Sequence, residues 1–347
     1  MTPGARNNNP LISVVIPNWN GKKFLPACLD SLKRQSYPNL DVIVVDNGST
    51  DGSVQYLKEN YPGFVKIVEL QENHGFDRAV NEGIKVSKGA YIATLNNDTE
   101  THEDWIRELA KGFDHGDRVG MCASKILFYF NRDIIDKTGH VMYLDGLNKG
   151  RGAMQKDNGK FEVCEEVFFP DGCAALYKRE LFDEVGLFDE RFFAYGDDAE
   201  LGFRARLFGW KCVYMPSAVV YHIHSGTTSP YSKLKVFLVE RNRFWLALKL
   251  FPLPFLLATP FYTALRFYWH SYSAFFQKGS AGRFRKEFSS VELVLVLMKS
   301  YLSGLKGLPY ILGKRREILR KKAVNNRQIK EWFSRFGISA KDIALID

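Results

Sequence analysis

Apolar runs and amphipathic stretches alternate through the first hundred residues. "LISVVIP" (11–17) is a short β-branched run that stops at a proline, which predicts a buried strand. "KKFLPACLDSLKRQSY" follows and sets Phe24, Leu25, Cys28, Leu29 and Leu32 on one helical face. "LDVIVVDNGSTDGS" (40–53) predicts a second buried strand ending in a polar turn, and residues 53–60 a helix. "VKIVEL" (65–70), "GFDRAVNEGIKVS" (75–87) and "YIATL" (91–95) predict strand, helix and strand. Continuously apolar strands alternating with helices imply βαβ units and a parallel sheet covered on both faces, an α/β fold. Past residue 110 the alternation weakens. "MCASKILFY" and "DKTGHVMYL" read as strands, with a glycine-rich segment at 146–159. Residues 166–210 read as strand, helix, loop and helix, and "KCVYMPSAVVYHIH" (211–224) as a strand pair.

In an open parallel sheet, ligands bind at the carboxyl ends of the strands. Three predicted strand ends are polar here: Pro17-Asn18-Trp19-Asn20, Asp46-Asn47 with the turn after it, and Asn96-Asn97-Asp98. One such cluster is ordinary turn chemistry; three on one edge predict a site. There is no Walker-type phosphate loop, and no G-x-G-x-x-G follows the first strand. A nucleoside diphosphate held through a divalent cation, Mg²⁺ or Mn²⁺, suits what remains.

Charge divides the chain. Residues 1–232 hold 26 Lys/Arg against 32 Asp/Glu, and residues 233–347 hold 22 against 7. The texture changes at the same place. "FWLALKLFPLPFLLATPFYTALRFYWHSYSAFF" (244–276) and "VELVLVLMKSYLSGLKGLPYILGKRREILRKK" (291–322) are apolar, aromatic and basic, and neither offers 18 clean apolar residues. Helices lying at a membrane interface are favoured, with a bundle packed on the main domain or true spans as alternatives. Five scattered cysteines without a CxxC pair argue for reduced thiols, and the polar "MTPGARNNNP" lacks a secretory h-region. The expected division is a polar tail (1–10), an α/β domain (11–232) and a basic helical region (233–347). The expected location is cytoplasmic, peripheral to the inner face of the cell membrane.

These motifs together resemble glycosyltransferase family 2, the inverting enzymes of GT-A fold. "VVIPNWNG", "VVDNGSTDGS", "NHGFDRAVNEGI", "YIATLNNDT", "FFPDGCAALYKRELFDEVGLFDERFFAYGDDAELGFRARLFGW" and "AVVYHIHSGTTS" occur in the family's order and spacing, and "ERNRF" is the last element. The match covers about residues 11–243 and is most similar to rhamnosyltransferase-like enzymes of bacterial cell-surface polysaccharide synthesis.

The resemblance implies roles by position. Pro17, Asn18, Trp19, Asn20, Asp46 and Asn47 would hold base and ribose, with Asn47 where many members have aspartate. Gly75, Arg78 and Asn81 would belong to the donor-binding helix start. Asn96-Asn97-Asp98 stands at the DxD position; Asp98 would bind the metal and Asn97 the ribose, beside Asn96. "AYGDDAE" resembles the family's E-D motif and makes Asp198 the general base, with Asp197, Asp171 and Gly172 toward the acceptor. Arg204 would order the Asp pair or approach the diphosphate. His222, or alternatively His224, would complete the metal site. Read without the family, Asp46, Asp98 and the Asp197–Asp198 pair are also turn or helix caps, and Arg78 a surface ion-pair partner.

The implied activity is metal-dependent transfer from a nucleotide-diphosphate sugar, dTDP-rhamnose first and UDP-sugars next, to a glycan or lipid-linked acceptor at an anionic membrane surface. A sugar nucleotidyltransferase would need a G-x-G-x-R-type loop that "PNWNGKKF" does not supply. A non-catalytic glycan or nucleic-acid binder would use the basic tail for phosphates. No nucleic-acid module is visible, so no nucleic-acid partner is expected.

Overall fold

The computed structural model describes residues 9–223, 232–276 and 287–345. Residues 1–8 of the tail and His224 lie outside them. The first hundred residues wind as read: β1 (Ile12–Asn18), α1 (Leu25–Lys33), β2 (Leu40–Asn47), α2 (Ser53–Asn60), β3 (Val65–Leu70), α3 (Phe76–Val86) and β4 (Tyr91–Leu95). β1 pairs in parallel with β2 and β4, and β2 with β3.

Alternation along each strand explains the unbroken apolar runs. Val15, Ile43 and Val45 face one core with α3, while Ile12, Val14, Ile16, Val42 and Val44 face a second core with α1. Both faces are covered, so neither can be polar.

The second half adds β5 (Thr99–Thr101), α4 (Trp105–Lys111), β6 (Val119–Phe128), β7 (Ile135–Lys137), β8 (His140–Met142), β9 (Asn148–Gly150), β10 (Glu165–Val167) and β11 (Ala174–Lys178). Then come α5 (Arg179–Val185), α6 (Asp197–Leu207) and β12 (Lys211–His222). The large sheet runs β10-β12-β6-β11-β4-β1-β2-β3. β11 is antiparallel to both β4 and β6, so the sheet is mixed where it leaves the βαβ half.

Two readings are corrected. "DKTGHVMYL" is not one strand: Gly139 adopts φ +89°, and a Cβ there would stand 2.9 Å from Val167. The chain turns at it and yields β7 and β8. Residues 211–222 are one strand, not a pair. Pro216 falls where the register to β6 shifts between Met215 and Val219, so a bulge absorbs the residue that cannot donate.

The C-terminal region is helical: α7 (Lys233–Leu250), α8 (Leu253–Phe275), α9 (Ser290–Lys306), α10 (Leu308–Lys321), α11 (Asn326–Arg335) and α12 (Ala340–Leu345). The core with α3 extends across residue 232 to Trp245, Phe251, Ile311 and Ile329. Trp332 and Phe333 reach Phe203, and Phe336 stacks on Phe168 with centroids 5.5 Å apart.

α8 and α9 are built with small or polar residues inward. The buried residues of α8 are Thr259, Arg266 and Ser273, and those of α9 are Val296, Ser300 and Gly304. Arg266 pays for its burial with Asp145 and Glu240, at 2.6 and 2.9 Å. Leu253, Leu257, Phe261, Leu265, Tyr268, Tyr272 and Phe275 repeat at three- and four-residue steps on the exposed face of α8. Val291, Val294, Leu295, Met298, Leu302 and Leu305 do the same on α9. No helix among the described residues is long and apolar enough to cross a membrane.

Candidate active site

The carboxyl ends of β1, β2 and β4 meet the N-terminus of α6 and the end of β12 around a cleft of about 580 Å³. Asn18 ties the strand ends together. Its Nδ2 donates to Asp46 Oδ1 at 2.9 Å, and its Oδ1 accepts from Asn97 Nδ2 at 2.7 Å. Gly21 lets these amides approach, since a Cβ there would stand 2.0 Å from Asn97 Nδ2. Asp46 Oδ2 also accepts from Ser49 N, the turn-capping role, while Asn20 holds Thr50 N. Asn47 locks the next loop by donating to Asn73 and to the Gly75 carbonyl and accepting from His74 N.

At the end of β4, buried Asp98 has Oδ1 3.4 Å from His222 Nε2. The other ring nitrogen of His222 is 2.7 Å from Asp136 Oδ2. Burial opposes the His222 cation, but Cys173, Asp136 and Asp98 outweigh it and raise its pKa. A carboxylate and an imidazole side by side, with a second carboxylate orienting the ring, fit a divalent cation. Asp136 was not legible, because it sits 86 residues before His222 in a segment without a motif.

α6 opens the other part of the site. Asn242 of α7 donates to the carbonyls of Phe192, Ala194 and Tyr195 at 3.0, 2.9 and 2.7 Å. It thereby holds a loop in which Phe193, Tyr195 and Gly196 all have positive φ. This gives "ERNRF" a role: one amide fixes the turn that presents Asp197 and Asp198. Burial first, and then the Asp198 charge, push the Asp197 pKa up to about 8.

Asp198 Oδ2 is 3.3 Å from His140 Nε2, which also lies 2.8 Å from Asp171 Oδ2. Lys137 Nζ reaches the same Asp171 oxygen at 2.7 Å. Burial opposes the His140 cation, but Asp198 and Asp171 prevail and push its pKa up to about 9. Burial likewise opposes the Asp171 anion, but Lys137 and His140 hold its carboxyl well below the usual range. His140, Asp171 and Asp198 are spaced like a metal-ligand set. Lys137 and the charged imidazole already balance the two carboxylates, so no ion is assigned there. His140 and Lys137 were both missed; the only signal was polar residues interrupting "IIDKTGHVMYL".

The predicted residues divide. Pro17, Asn18, Trp19, Asn47, Asn96, Asn97 and Asp98 line the cleft, as do Asp171, Gly172, Asp197, Asp198 and His222. Asn20 and Asp46 stand behind this lining and brace it. Four placements differ from expectation. Gly75 packs under the 193 loop, where a Cβ would meet the Phe193 carbonyl at 2.3 Å. Arg78 pairs with Glu190 and Glu82, both at 2.8 Å, as a surface arginine does. Asn81 is buried against the Phe188 carbonyl and Glu190. Arg204 is spent on Glu200 and the carbonyls of residues 185–187. Each cation found its partner inside the fold, which the sequence pattern does not reveal.

A cleft of about 580 Å³ at the strand ends of an α/β sheet, with acids at both sides, has the size and placement of a small-molecule site. The family model described as glycosyl transferase family 2 matches residues 13–186, half of the chain, and the chain belongs to that family. Its fold is GT-A, and it spans 66% and 58% of the length of two Rickettsia relatives that it matches. An uncharacterized glycosyltransferase of Rickettsia prowazekii is 29% identical over 224 residues, 64% of this chain and 66% of that protein's length. The N-acetylglucosaminyl-diphospho-decaprenol L-rhamnosyltransferase of Mycobacterium tuberculosis is 28% identical over 271 residues, covering 68% of this chain and 86% of that one. The mannosyltransferase PcManGT of Pyrobaculum calidifontis, solved with GDP-Man and Mn²⁺, matches with a TM-score of 0.51 at 16% identity, covering 86% of this chain and 88% of that one.

Proposed function

We propose that the chain is an inverting, metal-dependent glycosyltransferase of cell-surface polysaccharide synthesis. It moves one sugar from a nucleotide diphosphate, dTDP-rhamnose or else a UDP-sugar, onto a glycan carried by a lipid. The observation that carries this reading is the division of one cleft, with Asp98 and His222 at the sheet edge and Asp198 at the start of α6.

Asp198 takes the proton of the acceptor hydroxyl. The acceptor oxygen attacks the anomeric carbon, and the sugar–phosphate bond breaks on the opposite face with its electron pair leaving on the nucleoside diphosphate. Asp98 and His222 would hold Mg²⁺ or Mn²⁺, which when bound neutralises the leaving diphosphate. Protonated Asp197 donates a hydrogen bond to the acceptor. Asn97 offers its amide oxygen to ribose and base, with Asn18 and Asn47 bracing the strand ends around it, and half-exposed Trp19 offers a stacking face.

The M. tuberculosis relative's name supports rhamnose as the sugar and a lipid diphosphate as the carrier, and the Mn²⁺ of the Pyrobaculum complex supports the cation. Residues 11–232 bear the chemistry, and residues 233–347 seat the enzyme on the cytoplasmic face of the membrane. The outward apolar stripes of α8 and α9 and the basic charge of that region support this seating.

A donor panel tests the reading. Protein in mild detergent is given dTDP-rhamnose, UDP-glucose, UDP-galactose, UDP-GlcNAc or GDP-mannose, with Mg²⁺, Mn²⁺ or EDTA, and released nucleoside diphosphate is read. Release from one donor, lost with EDTA and in Asp98→Ala and Asp198→Asn, is expected. Silence on all donors with no nucleotide binding by calorimetry overturns it.

A further inference from the structure

We propose that His140 is a positioning residue for Asp198: it clamps the carboxylate of the general base against Asp171 and sets the orientation in which that base meets the acceptor hydroxyl. The inference rests on the role given to Asp198 above, and it adds a residue that no motif marked.

Asp198 is held by both oxygens. Ala199 N donates to Oδ1 at 2.7 Å, and His140 Nε2 lies 3.3 Å from Oδ2. Two anchors on two oxygens fix the plane of the carboxylate, where one would leave it free to turn about χ2. The clamp is itself held. The imidazole stacks on Phe169 with centroids 5.0 Å apart, and its Nδ1 lies 3.0 Å from the Asn148 amide, whose oxygen must be the atom that faces a protonated Nδ1. Asp171 takes Lys137 and His140 on Oδ2 and Cys173 N on Oδ1 at 2.9 Å. Both Asp171 oxygens are therefore engaged within the protein, and its part in the site is to anchor the clamp rather than to grip acceptor.

The charge balance has a kinetic consequence. The charged groups beside His140 are Asp171 on the loop before β11 and Asp198 on α6, with Lys137 of β7 on the far side of Asp171; Asp197 of α6 and Lys149 of β9 line the same cleft. The His140 ring stands 3.3 Å from the Asp198 carboxylate. Removing it takes a positive charge from beside the base, so the acid limb of the pH–rate profile is expected to move to higher pH.

Two variants and two readouts test this. His140→Ala removes clamp and charge; His140→Gln keeps a donor without the charge. With the donor that the panel identifies, His140→Ala is expected to lower kcat by about 10²-fold with donor KM unchanged. His140→Gln is expected to recover part of that loss, and both variants to shift the acid limb upward. A profile that stays in place, with kcat within about twofold, overturns the proposal. A second measurement needs no turnover. The His140 ring is followed by ¹⁵N NMR titration in wild type, Asp171→Asn and Asp198→Asn. The His140 pKa is expected to fall in Asp198→Asn; no change there overturns the clamp even if the donor panel succeeds. A fall there while every donor stays silent would uphold the clamp and count only against the assigned reaction.

Discussion

Asp197 keeps its proton to about pH 8, although an ordinary aspartate loses it near 3.8. A folded-state pKa raised in this way favours the fold while the group is protonated. That contribution is complete below pH 3.8 and is lost as pH rises through about 8. Asp197→Asn cannot ionise. Its melting temperature is expected to match wild type near about pH 4 and to exceed it above pH 8, as read by scanning fluorimetry across the range. Parallel curves would mean that Asp197 is already ionised at neutral pH. At this scale the motifs located residues that the fold brings to one cleft, as at Asp98, Asp198 and His222. The sequence was silent where a residue acts through a partner distant in the chain. His140 meets Asp171 31 residues on, and Asn242 meets a loop 47 to 50 residues back. Neither separation leaves a periodic trace. Arg78 and Arg204 lie away from the cleft lining on acidic partners set by tertiary packing, which a linear pattern does not choose between.

Elements were legible where local periodicity and burial agree. The β1–β4 half obeys one rule, alternation onto two cores, and its strands and helices fall within a few residues of expectation. The later half did not follow that rule, because single residues decide it: Gly139 divides a strand and Pro216 bulges one. α8 carries its polar residues inward, so a helix that reads as apolar hides Arg266 in an ion network. Its outward stripe makes a direct prediction. Leu257 and Phe261 are 72% and 68% exposed, so Leu257→Glu with Phe261→Glu costs the fold little. Binding to anionic vesicles is expected to fall at least about tenfold, with an unchanged melting temperature. Wild-type binding is expected to weaken with added salt, while duplex DNA is not retained. Unaltered vesicle binding by the double variant would exclude this face as the contact.

Across the whole molecule, charge and core draw different boundaries. The change of charge at residue 232 was legible because it is a property of composition. The core ignores it: Phe168 and Phe203, both before residue 232, are covered by Trp332, Phe333 and Phe336. Long-range aromatic packing of this kind has no signature in a linear pattern.

The order of synthesis is thereby constrained. A ribosome making this chain completes every residue lining the cleft long before it reaches Trp332, so the nascent chain waits with its aromatic centre uncovered. A chain stopped after residue 325 would hold the whole cleft yet leave Phe168, Phe203 and Phe251 without their lids. Such a chain is expected to pellet or remain with chaperones, and to be cut by protease far faster than the full chain. A soluble, protease-resistant product of that length would show that the last helices are dispensable for folding.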